Sequence, residues 1–192
     1  MGKERIIKLL LEEFPKTYSE ELGINLKSRK SGEIFKWFLA SILFGARISE
    51  TIAKNTYKTL EKYKLLTPKK ILEAGWSFLV NPVMREGGYI RYDGKTSTML
   101  LDISEKLLKE YKTLTNLYKT SKDQKELEDR LKSFKGVGPV TVQIFLRELR
   151  DIWKVDPELS RFTILAAKNL SLIKSENPEK ALKNLKEVWE KI

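Results

Sequence analysis

Apolar residues recur at three- and four-residue spacing along almost the whole 192-residue chain, and no stretch alternates with period two between turn signals. A helix gathers residues i, i+3, i+4 and i+7 on one face, whereas a half-buried strand needs every second residue. The pattern therefore predicts an all-α chain of about ten helices and no sheet. Ile6, Ile7, Leu10, Leu11 and Phe14 form one apolar face, stopped by Pro15. Ile34, Trp37, Phe38, Ser41 and Ile42 belong to a more buried helix starting near Ser31. Ser49 is placed to cap a third helix with Ile52, Ala53, Thr56, Tyr57 and Leu60 inward. Thr67-Pro68, a cap followed by proline at the first helical position, starts a fourth. A short segment from Trp76 to Met84 ends near Gly87-Gly88. Met99, Leu100, Ile103, Leu107, Leu108 and Tyr111 mark an amphipathic helix, and Leu127, Leu131 and Phe134 the next. The turn Gly136-Val137-Gly138 leads into the apolar run Val140 to Trp153, and Asp156-Pro157 is expected to open a helix through Leu170. Pro178 opens the last, with Leu182, Leu185, Val188, Trp189 and Ile192 inward.

Two absent residue types exclude much chemistry. With no Cys there is no disulfide, no thiolate zinc finger and no protein-ligated iron–sulfur cluster. With no His there is no Ser–His or Cys–His pair and no imidazole metal site, so acid–base work falls to Asp, Glu, Lys or Tyr. The longest apolar stretch, Trp37 to Ala46, is about half a membrane span. Met1-Gly2-Lys3-Glu4-Arg5 carries charge at once and offers no cleavable apolar region, so a soluble, cytoplasmic protein is expected. Abundant Lys and Glu, with Gln at only 124 and 143, fit the composition of a heat-adapted protein.

The net charge of +11 is unevenly spread. From Lys27 to Lys70 there are 11 basic residues (27, 29, 30, 36, 47, 54, 58, 62, 64, 69, 70) and three acids (33, 50, 61), which is +8 of the +11. A concentrated basic segment points to a polyanion, nucleic acid first, although a solvated Lys/Glu helix surface would also supply it.

The stretch Leu131 to Asp156 reads LKSFKGVGPVTVQIFLRELRDIWKVD. An amphipathic helix runs into a Gly-x-Gly turn and straight into a second helix. The glycines allow a tight turn whose amides point outward at a helix N-terminus, an arrangement that binds phosphate. Pro139 at the first helical position loses no hydrogen bond. Phe134, Gly136, Val137, Gly138 and Thr141, followed by Val155-Asp156, resemble the helix-hairpin-helix of the endonuclease III-like DNA glycosylase superfamily. Ile42 to Glu50 (ILFGARISE) resembles that family's helix-loop-helix, and Gly88-Tyr89 with Lys95-Thr96 resembles its Gly-aromatic…Lys-Ala segment. The resemblance covers about residues 30 to 170 and implies a two-lobed fold. One lobe, 30–147, would be a six-helix, barrel-like body holding the hairpin; the other would join 1–29 to 148–192.

The implied activity is hydrolysis of the N-glycosidic bond of a damaged or mismatched base in double-stranded DNA, by a monomer without an iron–sulfur cluster. A monovalent cation at the hairpin is compatible with it. The implied phosphate-binding residues are Lys135, Gly136, Val137, Gly138 and Thr141, with Arg91 and Lys95 as further phosphate contacts. Arg47 falls where the family inserts a side chain into the base stack, and Trp37, Phe38, Tyr89, Tyr92, Trp153 and Glu33 are candidates for the base pocket. Asp156 is the implied catalytic carboxylate, and it also reads as an N-cap before Pro157. Two departures matter. Val140 stands where bifunctional relatives carry a Schiff-base lysine, which implies a monofunctional enzyme. The four cluster cysteines of many relatives are missing. The competing expectations are a non-catalytic DNA-binding protein using the same hairpin, and a glycosylase/lyase with a relocated lysine.

Overall fold

The nine residues Phe35 to Leu43 are buried apart from Lys36, on a helix that is apolar on nearly every side. Such a helix belongs at the centre of a fold, with other helices laid around it. In the computed structural model, which describes residues 2–189 and side chains to 188, this is α3, Ser31–Phe44. It lies in the larger of two compact units, Tyr18–Val155; the smaller joins residues up to 17 with those from 156 onward.

Before α3 in the larger unit come α1, Lys3–Glu13, of the smaller unit, then α2, Tyr18–Glu21, and a 3-10 turn at Leu26–Ser28. After it come α4, Glu50–Lys62, and α5, Pro68–Phe78, which continues into a π-helical stretch, Leu79–Met84. Next are α6, Asp93–Lys106, with a π-helical end at Leu107–Tyr111, then α7, Leu114–Lys119, and α8, Gln124–Lys132. Past the hairpin lie α9, Pro139–Arg147, and α10, Arg150–Trp153. No strand occurs among the described residues, as the periodicity predicts. No helix among them is long and apolar enough to cross a membrane.

Local signals work where side chains close the helix ends. Ser49 accepts from the Ile52 N–H and Thr67 from the Lys70 N–H, each satisfying a first-turn donor. Around α3 the core is aromatic: the Phe38 ring lies 5.0 Å from Phe145 and 5.9 Å from Phe134. The Trp37 indole N–H donates to the Phe145 carbonyl at 3.0 Å. The larger unit takes in residues 18–29 and 148–155, which the resemblance assigned to the other lobe. Leu22, Ile24, Leu26, Leu149, Trp153 and Val155 are buried in this core, and that burial sets the boundary.

The smaller unit packs α1, α11 (Arg161–Asn169) and α12 (Pro178–Trp189) around Ile7, Ile164, Ala167, Leu172, Ile173 and Ala181. The Lys3 ammonium donates to the Leu172 carbonyl at 2.7 Å. Two expectations fail here. Leu11 and Phe14, read as part of an inward face, are exposed, because so small a core buries only Ile7 fully from α1. Asp156-Pro157 opens no helix: residues 155–160 are irregular, and Ser160 caps α11 by accepting from the Thr163 N–H. The inward positions expected for the Trp189 side chain and for Ile192 fall outside the described residues.

Replacing Trp37 by Phe keeps most of the ring but orphans the Phe145 carbonyl. A destabilisation of about 1–3 kcal/mol is expected, read as a lower urea midpoint with an unchanged slope.

Candidate nucleic-acid interface

Gly136 turns the chain at φ +79°, a region that residues bearing a Cβ rarely adopt. A Cβ there would also stand 1.9 Å from Met99 Sδ, so the hairpin rests directly on α6. Val137 is buried in the core, and its N–H donates to the Phe134 carbonyl at 3.0 Å, closing the turn. Gly138 is the N-cap of α9 with extended backbone, Pro139 follows at the first helical position, and no side chain caps the helix. The first-turn amides of α9 have no intrahelical acceptor, and the helix dipole adds partial positive charge there. Gly136 is exposed and Gly138 half-buried, so this uncapped N-terminus faces solvent.

The other hairpin residues sit differently. Thr141 is buried against Gly45 at the end of α3, where a Cβ on Gly45 would meet Thr141 Oγ1 at 2.3 Å. Its place in this structure is thus the α3–α9 contact. Lys135 is exposed and pairs with Asp102 of α6 at 2.7 Å. Val140 is 57% exposed in the first turn of α9 and brings no amine there.

The Gly45–Thr141 contact brings the 45–49 loop against the first turn of α9. That loop carries Arg47, which is exposed and has no ion-pair partner among the described residues. Of the 11 basic residues from Lys27 to Lys70, Lys27, Lys36, Lys54, Lys62 and Lys70 are held by carboxylates. Arg29, Lys30, Arg47, Lys58, Lys64 and Lys69 have no ion-pair partner among the described residues.

Most of the proposed pocket residues are core. Trp37 and Phe38 are wholly buried and present no ring face to a ligand. Trp153 is buried too, stacked on Tyr118 at 4.7 Å with the rings 2° from parallel. Tyr89 is buried, and its hydroxyl accepts from Thr96 at 3.0 Å. These four are corrected from pocket to packing. Tyr92 is exposed beneath the Arg91 guanidinium, and Lys95 is exposed nearby in sequence. Glu33 binds the Asn25 N–H at 2.8 Å and Lys36 at 2.6 Å. Burial pushes its carboxyl up, but Lys36, the Asn25 N–H and Lys30 outweigh this, and the net shift is down.

A cavity of about 230 Å³ opens instead between Tyr18, Phe44, Ile48, Glu50, Ala53, Ile144 and Arg147. The Tyr18 and Phe44 rings lie 4.9 Å apart at 42°. The Tyr18 hydroxyl donates to Glu50 Oε2 at 3.0 Å, and Lys54 bridges Glu50 and Glu21 at 2.5 Å each. Burial, then Glu50, raises the Tyr18 pKa above its usual value against Arg147 and Lys54, while the Lys54 and Tyr18 hydrogen bonds hold Glu50 below its own. The Glu148 carboxylate accepts from the N–H groups of Tyr18 and Ser19 at 3.2 and 3.1 Å, which anchors α2. The sequence signal for this cavity is faint. Ile48 and Glu50 flank the Ser49 cap, but Tyr18, Phe44 and Arg147 come from three other elements.

In the smaller unit, Asp156 lies in the irregular 155–160 segment and pairs with Lys186 of α12 at 2.7 Å. With Ser160 capping α11, Asp156 does not serve as that helix's N-cap. Among the described residues no group of three or more His, Cys, Asp or Glu is placed to hold a metal ion. The chain matches no protein-family model, no curated protein and no solved structure.

The two hairpin glycines should respond differently to alanine. Gly136→Ala must adopt a left-handed φ and displace Met99, so a loss of about 1–3 kcal/mol is expected in thermal or urea unfolding. Gly138 has open space around it and ordinary φ, so Gly138→Ala should change stability by about 1 kcal/mol or less.

Proposed function

We propose that the chain is a monofunctional DNA glycosylase that hydrolyses the N-glycosidic bond of a damaged or mismatched base. The observation that carries this reading is the hairpin: a helix N-terminus left without a side-chain cap, held rigidly by two glycine contacts, beside a loop bearing the unpaired Arg47. Amides of this kind donate hydrogen bonds to a phosphate oxygen, and the basic residues of 27–70 that have no ion pair among the described residues supply the long-range attraction.

Base chemistry in a duplex needs the nucleotide turned out of the stack, at a cost of a few kcal/mol. Arg47 offsets this by filling the gap, its guanidinium plane stacking on neighbouring bases. Breaking the C1′–N bond leaves positive charge on the sugar, and the base departs with the bonding electrons. Asp156 stabilises that charge and takes a proton from the water whose oxygen bonds C1′. The helix-capping reading of Asp156 loses its support, because Ser160 performs that task for α11.

A second reading has one observation in its favour. The Lys186 amine lies 2.7 Å from the Asp156 carboxylate, so a lysine stands beside the proposed catalytic group. Once Asp156 takes a proton from it, Lys186 Nζ would attack C1′ and the base would leave with the bonding electrons. Loss of the second amine proton and cleavage of C1′–O4′, with O4′ taking a proton, would leave an imine to the opened sugar, which borohydride reduces to a stable crosslink.

Incubation with a panel of lesion duplexes followed by alkali separates these readings. Wild-type protein should release a base, and Asp156→Asn should lose release by about 10³-fold or more while keeping duplex affinity. Absence of release from every lesion contradicts glycosylase activity. A borohydride adduct lost in Lys186→Ala contradicts the monofunctional assignment.

A further inference from the structure

Building on the glycosylase reading, we infer that the Tyr18–Phe44–Glu50–Arg147 cavity is the base-reading pocket, and that it accepts a neutral, uracil-type pyrimidine carrying a ring N–H beside a carbonyl. At about 230 Å³ the cavity is smaller than the roughly 300–1,000 Å³ of sites for drug-sized ligands, so it suits one ring system and not a whole nucleotide. Two aromatic rings and the side chains of Ile48 and Ile144 give it flat, apolar walls. The charged groups are two. Glu50 is held as a carboxylate by Lys54 and Tyr18, and an ionised carboxylate only accepts hydrogen bonds. Arg147 only donates; its guanidinium sits 5.4 Å from the Tyr18 ring centre and has no carboxylate partner among the described residues. The complementary ligand is therefore planar, presenting an N–H to Glu50 and a carbonyl oxygen to Arg147.

Other bases fit this chemistry less well. Adenine presents its amino N–H beside a ring nitrogen, with no carbonyl for Arg147, and its two fused rings need more room than one pyrimidine ring. Alkylated purines that carry positive charge would meet Arg147, which has no carboxylate partner among the described residues. Ile48 and Glu50 of the cavity follow Arg47 in the 45–49 loop and at the start of α4, so a side chain entering the stack and the walls receiving the displaced base come from one short segment.

The test combines base release with binding of a free base. Duplexes containing uracil or 5-hydroxyuracil are compared with duplexes containing 3-methyladenine, 7-methylguanine or ethenoadenine. Binding of 1-methyluracil and 9-methyladenine to the intact protein is followed by NMR. Wild type should release the uracil-type bases and bind 1-methyluracil in preference to 9-methyladenine. Arg147→Met, at an exposed position, should lower uracil release by about 10- to 100-fold, the size of one charge-assisted hydrogen bond, with duplex affinity and melting temperature retained. Glu50→Gln provides a second variant with the same expected direction. Release confined to the purine lesions, or Arg147→Met and Glu50→Gln as active as wild type, overturns the pocket assignment and leaves the glycosylase reading standing. No release from any lesion, with 1-methyluracil bound by wild type and not by Arg147→Met, sinks the glycosylase reading and upholds the pocket. Neither release nor binding overturns both.

Discussion

Two points of backbone contact hold the hairpin in place. Gly45 lets the end of α3 meet Thr141 in the first turn of α9, and Gly136 lets the turn itself sit on Met99 of α6. Phe38 completes the clamp by touching Phe134 before the turn and Phe145 after it. A side chain at either glycine would push the elements apart in a core where packing leaves little slack. The consequence is an α9 N-terminus that is fixed in space yet uncapped. With glycine at position 138 the terminus forgoes only about a few tenths of a kcal/mol relative to a Ser or Asp cap. A rigid set of unsatisfied amides thus costs little stability and is good design for holding an anion.

The electrostatics divide into two parts. Carboxylates neutralise one set of lysines in the basic segment; the Glu21–Lys54–Glu50 chain joins α2 to α4 in this way and keeps Glu50 ionised at the cavity wall. The remaining basic residues, Arg47 among them, have no ion-pair partner among the described residues and generate a field that reaches about a Debye length into solution. In the proposed function, attraction of DNA comes from residues that play no part in the internal ion pairs. In the smaller unit the catalytic carboxylate proposed above also has a cation beside it, Lys186.

How much was legible in the sequence follows from how local each signal is. Helix α3 could be read because nearly all of its faces are apolar, and the Ser49 and Thr67 caps because a cap acts within three residues. The Gly-x-Gly turn is legible for the same reason. The helix expected at Asp156-Pro157 was not: the same cap-and-proline pattern is satisfied by extended chain, and here Val155 is buried in the larger unit while Ser160 supplies the working cap. The sequence does not separate cavity aromatics from core aromatics, because exposure is a tertiary property. Trp37 and Phe38 carry the same composition signal as Tyr18 and Phe44, and only the packing of α2, α3, α4 and α9 decides which pair meets a cavity. Apolar periodicity likewise overstated the buried face of α1, since the pattern says which side turns inward but not how wide a core awaits it.

In the proposed function the hairpin and the basic residues without ion pairs hold the phosphates of a DNA duplex. The most direct measurement is the equilibrium dissociation constant of an undamaged duplex across a series of salt concentrations. Several phosphate contacts predict that the logarithm of affinity falls linearly with the logarithm of salt, with a slope of about −0.9 per phosphate engaged. An affinity that stays flat across the series would contradict phosphate binding by these residues.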